Sequence, residues 1–151
     1  MRRARRCLEE AELIKISDEM RLAVDNALGN RAPCILATAS PNGRPGVGLR
    51  ESMMVFSDDC LAYWERSMRA GLEHVESNPH VVAMYRNPAT RKAWKFFGRA
   101  KICRAGEARE KVMARVVPRE LERDPERTGY AVLVEADRIE LMNGEVLQSR
   151  G

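Results

Sequence analysis

The chain contains no Cys-x-x-Cys pair, no internal repeat or low-complexity linker, and no apolar run approaching the roughly 20 residues that a membrane span requires. Its four cysteines, Cys7, Cys34, Cys60 and Cys103, lie far apart, and the two histidines, His74 and His80, match no common zinc spacing. No metal site is expected, and the cysteines read as buried or half-buried reduced thiols, Cys34 and Cys103 within apolar strand-like runs. The N-terminus has basic residues but no apolar core behind them, so it does not read as a secretory signal, and the expected location is the cytoplasm. Familiar catalytic signatures are missing as well: no Gly-x-Ser-x-Gly elbow, no glycine-rich phosphate loop ending in Lys-Ser/Thr, no Gly-x-Gly-x-x-Gly. Gly46-Val47-Gly48 is too short for one and fits a strand bulge. His74 reads as a solvated histidine on the exposed side of a short helix, and His80 as a structural residue at a strand start. An enzyme made from this chain needs a cofactor to carry the hard chemistry.

At 151 residues, 44% of them hydrophobic and 32% charged, the chain fits one globular domain with a core of its own. The formal net charge is +4, and Arg2, Arg3, Arg5 and Arg6 account for all of it, leaving a formally neutral body. So local a charge reads as a solvated end and not as a nucleic-acid-binding surface. Residues 1–16 are taken as a basic N-terminal extension and residues 17–151 as the domain.

The domain opens with a predicted helix over about 18–28, with Ser17 as N-cap, Asp18 and Glu19 in the first turn, and Gly29-Asn30 as the stop. Strand texture follows: Cys34–Ala39, the turn Ser40-Pro41-Asn42-Gly43, Arg44–Leu49, Ser52–Phe56 and Leu61–Glu65, read as an antiparallel meander. Met68–Ser77 reads as a short helix ending before Pro79. Val81–Arg86 and Ala93–Cys103 are strands, the second interrupted by Gly98, and Glu107–Val116 is a helix with a Glu107–Lys111 pair. In the strand Tyr130–Met142 the apolar parity switches after Asp137-Arg138, which predicts a bulge; Asn143-Gly144 can turn it into a short final strand. The fold class expected is mainly β (α+β): a six-stranded antiparallel Greek-key barrel with short flanking helices.

Chemistry concentrates in Ala62-Tyr63-Trp64-Glu65-Arg66-Ser67-Met68-Arg69. Aromatic groups at a strand end are followed by arginines and a hydroxyl just before a helix, an arrangement that suits a phosphate monoester. Trp64 or Tyr63 could flank an aromatic ring. Arg50 and Ser52, on the strand expected to pair alongside, offer the same chemistry.

The order of these segments resembles the pyridoxamine 5′-phosphate oxidase-like split-barrel proteins. The resemblance runs through Cys34–Thr38, Pro41–Pro45, Arg50–Phe56, Leu61–Arg66, Asn78–Val81 and Trp94–Ala100, and spans about Ser17 to Gln148. It implies a split barrel that forms a homodimer and holds FMN in a groove between subunits. The cofactor-binding residues it implies are Arg50, Ser52, Trp64, Glu65, Arg66, Ser67 and Arg69, with Trp94 approaching the flavin from the partner subunit. Catalytic residues are not implied. Two departures separate the chain from the oxidase proper. Gly71 stands where the oxidase has lysine, and the chain lacks the arginine-bearing substrate segment with which the oxidase ends, so pyridoxine phosphate oxidation is not expected. The resemblance implies an FMN-dependent oxidoreductase of unassigned substrate. The alternative is a non-catalytic split-barrel module that binds a flavin, a deazaflavin, haem or nothing.

Overall fold

The computed structural model describes residues 13–150; the arginines at positions 2, 3, 5 and 6, and Cys7, lie outside the described residues. Within them the chain forms eight strands, β1 (Cys34–Ala39), β2 (Pro45–Arg50), β3 (Met54–Ser57), β4 (Cys60–Glu65), β5 (His80–Asn87), β6 (Lys92–Cys103), β7 (Tyr130–Glu140) and β8 (Val146–Ser149), one for each segment read as a strand, where the barrel was expected to have six. Four short helices flank them: α1 (Asp18–Asp25), α2 (Ala70–Ser77), α3 (Glu107–Arg115) and α4 (Pro118–Leu121). No described helix is long and apolar enough to cross a membrane.

All strand pairs are antiparallel, in the order β2-β1-β5-β6-β7-β4-β3, with β8 added beside the end of β7. β2 and β3 are therefore the two edges of the sheet, yet only Glu51, Ser52 and Met53 connect them. Four peptide steps span at most about 14 Å, so the sheet must roll until its edges nearly meet. The result is an incompletely closed, split barrel. The outer two of the three expected hairpins form, β1–β2 and β3–β4, while the middle connection crosses the seam instead of continuing a meander.

Leu36, Tyr63, Ala83, Tyr85, Phe96, Val132, Val134 and Ile139 fill the barrel interior. Met20 and Val24 of α1 join them; Ser17 caps that helix by accepting from the Met20 amide at 3.2 Å. The helix ends at Asp25, earlier than expected, where the Asn26 side chain donates back to the Leu22 carbonyl at 2.8 Å. Packing reaches into the N-terminal extension: Ile14 and Ile16 are buried, and the Lys15 backbone pairs both ways with the Gln148 side chain at 2.7 Å. A second, smaller core of Met54, Ala62, Trp64, Val112, Val116 and Ala131 lies under α3. β4 is buried on both faces because it lies between the two cores.

The parity switch in β7 is a real irregularity. Phe97 pairs with Arg138 but Gly98 with Ala136, which leaves Asp137 as the extra residue. Gly98 is required at this bend, since a Cβ there would collide with the Glu135 carbonyl.

Candidate functional site

Where the seam meets the end of β4, a cleft of about 160 Å³ opens. Its lining comes from the end of β2 (Leu49, Arg50), the crossing turn (Glu51, Ser52), the β4–α2 junction (Trp64, Glu65, Arg66, Ser67) and the α4 region (Glu120, Arg123). Six of the eight residues singled out from sequence, Arg50, Ser52, Trp64, Glu65, Arg66 and Ser67, thus lie together. Arg69, just before α2, is exposed and outside the cleft lining. Trp94 is also outside it: its indole is buried in the barrel core, stacked on Tyr85 at 5.6 Å between ring centroids.

Position within the cleft does not make every side chain available to a ligand. The Ser52 hydroxyl accepts from the Trp64 amide at 2.8 Å and donates to the Trp64 carbonyl at 3.3 Å, closing the seam where strand pairing is lacking. The Trp64 indole is covered by the Arg109 guanidinium at 4.9 Å and donates to Asp124 at 2.9 Å. Both residues act as structural supports of the cleft wall.

Arg50 is the best-placed cation. Its guanidinium lies over the Tyr63 ring at 5.3 Å and 3.7 Å from Glu65 Oε2, while its Nη1 donates to the Leu49 carbonyl at 3.0 Å. Its Nε is buried and has no hydrogen-bond partner, and neither has the buried Tyr63 hydroxyl beside it. Burial pushes the Tyr63 phenol up to about 12, so the hydroxyl keeps its proton at neutral pH. A Cβ at Gly71 would stand 2.6 Å from Arg50 Nη2. The position where the resemblance expects a lysine therefore carries no side chain, and the Arg50 guanidinium takes up its room.

Carboxylates balance these cations. Glu65, 5% exposed, accepts from the Ser67 amide at 3.2 Å and its hydroxyl at 2.8 Å. Glu120, 6% exposed, accepts from Arg66 Nε at 3.2 Å and lies 3.5 Å from Arg123 Nη1. Arg123 also lies 3.8 Å from Glu51. Hydrogen bonding to Glu120 raises the Glu51 carboxyl above its usual range, with burial and the Glu120 charge adding to the rise. Sequence reading missed Glu51, Glu120 and Arg123. Glu51 lies within the Arg50–Phe56 segment that carries the resemblance but was given no role there; nothing local in Pro118–Asp124 signals that this stretch folds back across the end of β4.

The donor set fits the phosphate of a flavin mononucleotide: an unpartnered buried Arg50 Nε and the Arg66 fork, while the Ser67 hydroxyl is already held by Glu65. The cleft is smaller than the roughly 300–1,000 Å³ of a pocket that encloses a whole cofactor, so it fits one end of such a molecule.

His74 departs from its expected solvated position. It is half-buried, and its Nδ1 lies 2.8 Å from the Thr38 hydroxyl, tying α2 to β1 beneath Gly46.

On the outside of the sheet, strand register aligns two rows of side chains. Leu49, Ile35 and Met84 lead to Lys95 and Glu140; Val47, Ala37, Val82 and Phe97 lead to Arg138. Val47 is 78% and Leu49 56% exposed, so an apolar face runs across four strands and reaches the cleft at Leu49.

The chain resembles known structures in the same terms. It is similar to HupZ of Group A Streptococcus at 21% identity and TM-score 0.66, over 89% of this chain and 95% of that one. A pyridoxamine 5′-phosphate oxidase-related, FMN-binding protein from Nostoc punctiforme matches at 15% identity and TM-score 0.65, over 80% and 78% of the two chains. An F420 reductase matches at 17% identity and TM-score 0.55, over 77% and 94%. No curated protein sequence matches the chain. The family model described as pyridoxamine 5′-phosphate oxidase matches residues 20–142, most of the domain, and the chain belongs to that family.

Proposed function

We propose that the protein is a cytoplasmic FMN-binding oxidoreductase that works as a homodimer on a substrate other than pyridoxine 5′-phosphate. The observation that carries this reading is the cleft at the barrel seam, whose lining gathers Arg66 with Arg50, the Nε of which is buried and has no partner. Membership of the family supports FMN as the ligand, as does the FMN-binding relative from Nostoc punctiforme.

Arg50 would hold a phosphate oxygen through Nε, with Arg66 supplying further donors. Glu65 orients this set by holding the Ser67 hydroxyl and the Arg50 guanidinium. Bound flavin supplies hydride or single-electron chemistry, which none of the cleft side chains can perform. The cleft would hold only the phosphate end, and the apolar face that adjoins it at Leu49 would be available to the ring. A second copy seated on Val47, Leu49 and their neighbours would cover that face and exclude water from the ring, the arrangement that makes a homodimer part of the site.

A non-catalytic binding module for a flavin, a deazaflavin or haem is the second reading. It is favoured by the three carboxylates, Glu51, Glu65 and Glu120, that face the three arginines of the cleft and weaken its hold on a phosphate. The visible spectrum of the purified protein, followed by titration with FMN, tests both. Flavin absorption bands and quenched flavin fluorescence are expected. A haem band instead selects the second reading; colourless protein that leaves FMN fluorescence unchanged overturns flavin binding.

A further inference from the structure

We propose that Arg66 and Arg123 form a two-arginine subsite for the anionic end of the ligand, and that the Glu120 carboxylate seated between them is a resident stand-in that the ligand displaces. The inference rests on the reading of this cleft as a phosphate site, and adds to it a residue from outside the β4–α2 junction and a competitor built into the chain.

The geometry is that of an anion held between two guanidinium groups, one contact from each. Glu120 Oε2 takes Arg66 Nε at 3.2 Å, and Oε1 lies 3.5 Å from Arg123 Nη1. A phosphate oxygen pair accepts from arginines in the same manner. The two buried carboxylates of the cleft differ in how they are held. Glu65 is anchored to the backbone through the Ser67 amide as well as to the Ser67 hydroxyl. The Glu120 carboxylate has only side-chain partners, so those can be handed to another anion without breaking any backbone hydrogen bond.

Its seat is also crowded. Arg123 Nη1 lies 3.8 Å from Glu51 Oε2 and 3.5 Å from Glu120 Oε1, so two carboxylates share one guanidinium and repel each other across it. Glu120 belongs to α4, a single turn of four residues with no side-chain cap at its start.

The test compares wild-type full-length protein with Glu120→Gln, titrating each with FMN and with riboflavin by fluorescence quenching. Glutamine keeps the size of the side chain and removes the competing charge. FMN is expected to bind Glu120→Gln roughly tenfold more tightly, with riboflavin affinity unchanged. Unchanged or weaker FMN binding makes the contact a structural ion pair and overturns the proposal. Should Glu120→Gln fail to fold, Glu120→Asp draws the carboxylate back from Arg66 and is expected to tighten FMN in the same direction; no tightening overturns it. Inorganic phosphate separates this inference from the flavin reading. If phosphate raises the melting temperature of Glu120→Gln more than that of wild type while neither binds FMN, the stand-in holds and the flavin reading fails. If FMN binds both proteins equally, the flavin reading holds and the stand-in fails.

Discussion

The indole Nε1 of Trp64 donates to Asp124 Oδ2 at 2.9 Å, joining the end of β4 to a loop 60 residues further along the chain. Asp124 also accepts from the Gly129 amide at 2.8 Å, the Thr128 amide at 3.0 Å and the Thr128 hydroxyl at 3.1 Å. One buried carboxylate thus folds the 124–129 loop around itself and fixes it to the wall of the cleft. Gly129 is required for this approach, because a Cβ there would lie 2.5 Å from the Trp64 nitrogen.

Removing that carboxylate leaves buried donors without acceptors. Asp124→Ala is expected to destabilise the fold by about 3 kcal/mol, measured by urea denaturation at neutral pH. The pH dependence follows from the direction of its shift. Burial pushes the carboxyl up, but the hydrogen bonds from Thr128, Trp64 and Gly129 outweigh it and hold the group below its ordinary 3.8. A carboxyl lowered in the folded state stabilises above its unfolded value, and that contribution is lost as pH falls through the folded one. Stability should therefore drop below about pH 4 more steeply in wild type than in Asp124→Asn.

Ser52 was singled out as a phosphate ligand, and its hydroxyl is committed to both backbone groups of Trp64. Ser52→Ala should cost about 1–3 kcal/mol of stability, because an amide and a carbonyl at the seam lose their partner. A thermal melt without ligand reads this directly. If stability is unchanged while FMN affinity falls, Ser52 is a ligand contact instead.

Gly71 offers a substitution whose effects on stability and binding have opposite signs. Alanine within a helix is favoured over glycine by roughly 0.5–1 kcal/mol, and the new Cβ meets only the far end of the Arg50 side chain, which can swing aside. Gly71→Ala should therefore melt at or above the wild-type temperature yet bind FMN about tenfold more weakly, since Arg50 is displaced from the cleft. Equal FMN affinity in the two proteins would remove Arg50 from the binding site.

Much of this was legible in the chain because it is encoded locally. Ser17 caps α1 as its side chain suggests, and the change of apolar parity in Tyr130–Met142 marked the Asp137 bulge before any partner strand was known. The gathering of Arg50 with Arg66 and Ser67 was anticipated for a reason that differs in detail. Arg50 and Ser52 come near β4 not through a neighbouring strand but because three residues cross the barrel seam. Closure of that kind is a property of the whole sheet. For the same reason Glu120 and Arg123, more than 50 residues beyond Arg66, gave no sign of entering the cleft. The commitments of Trp64 and Trp94 to cores and of His74 to Thr38 depend on distant partners that no local pattern names.

The apolar outer face gives the sharpest test of the homodimer. Val47 and Leu49 lie on an edge strand, are more than half exposed, and adjoin Ala37 and Ile35 of β1, which in turn adjoin Val82 and Met84 of β5. A contiguous apolar face of this kind is unusual on a monomer surface, and it borders the cleft through Leu49. Val47→Asp with Leu49→Lys places charges where a partner would pack but changes no buried contact of the single chain. Light scattering coupled to size exclusion should show the wild type as a dimer and the double variant as a folded monomer. FMN affinity should fall as the dimer is lost, because the ring end of the site needs the second copy. A variant that remains dimeric moves the interface elsewhere, and a monomer that binds FMN as tightly as wild type confines the whole site to one chain.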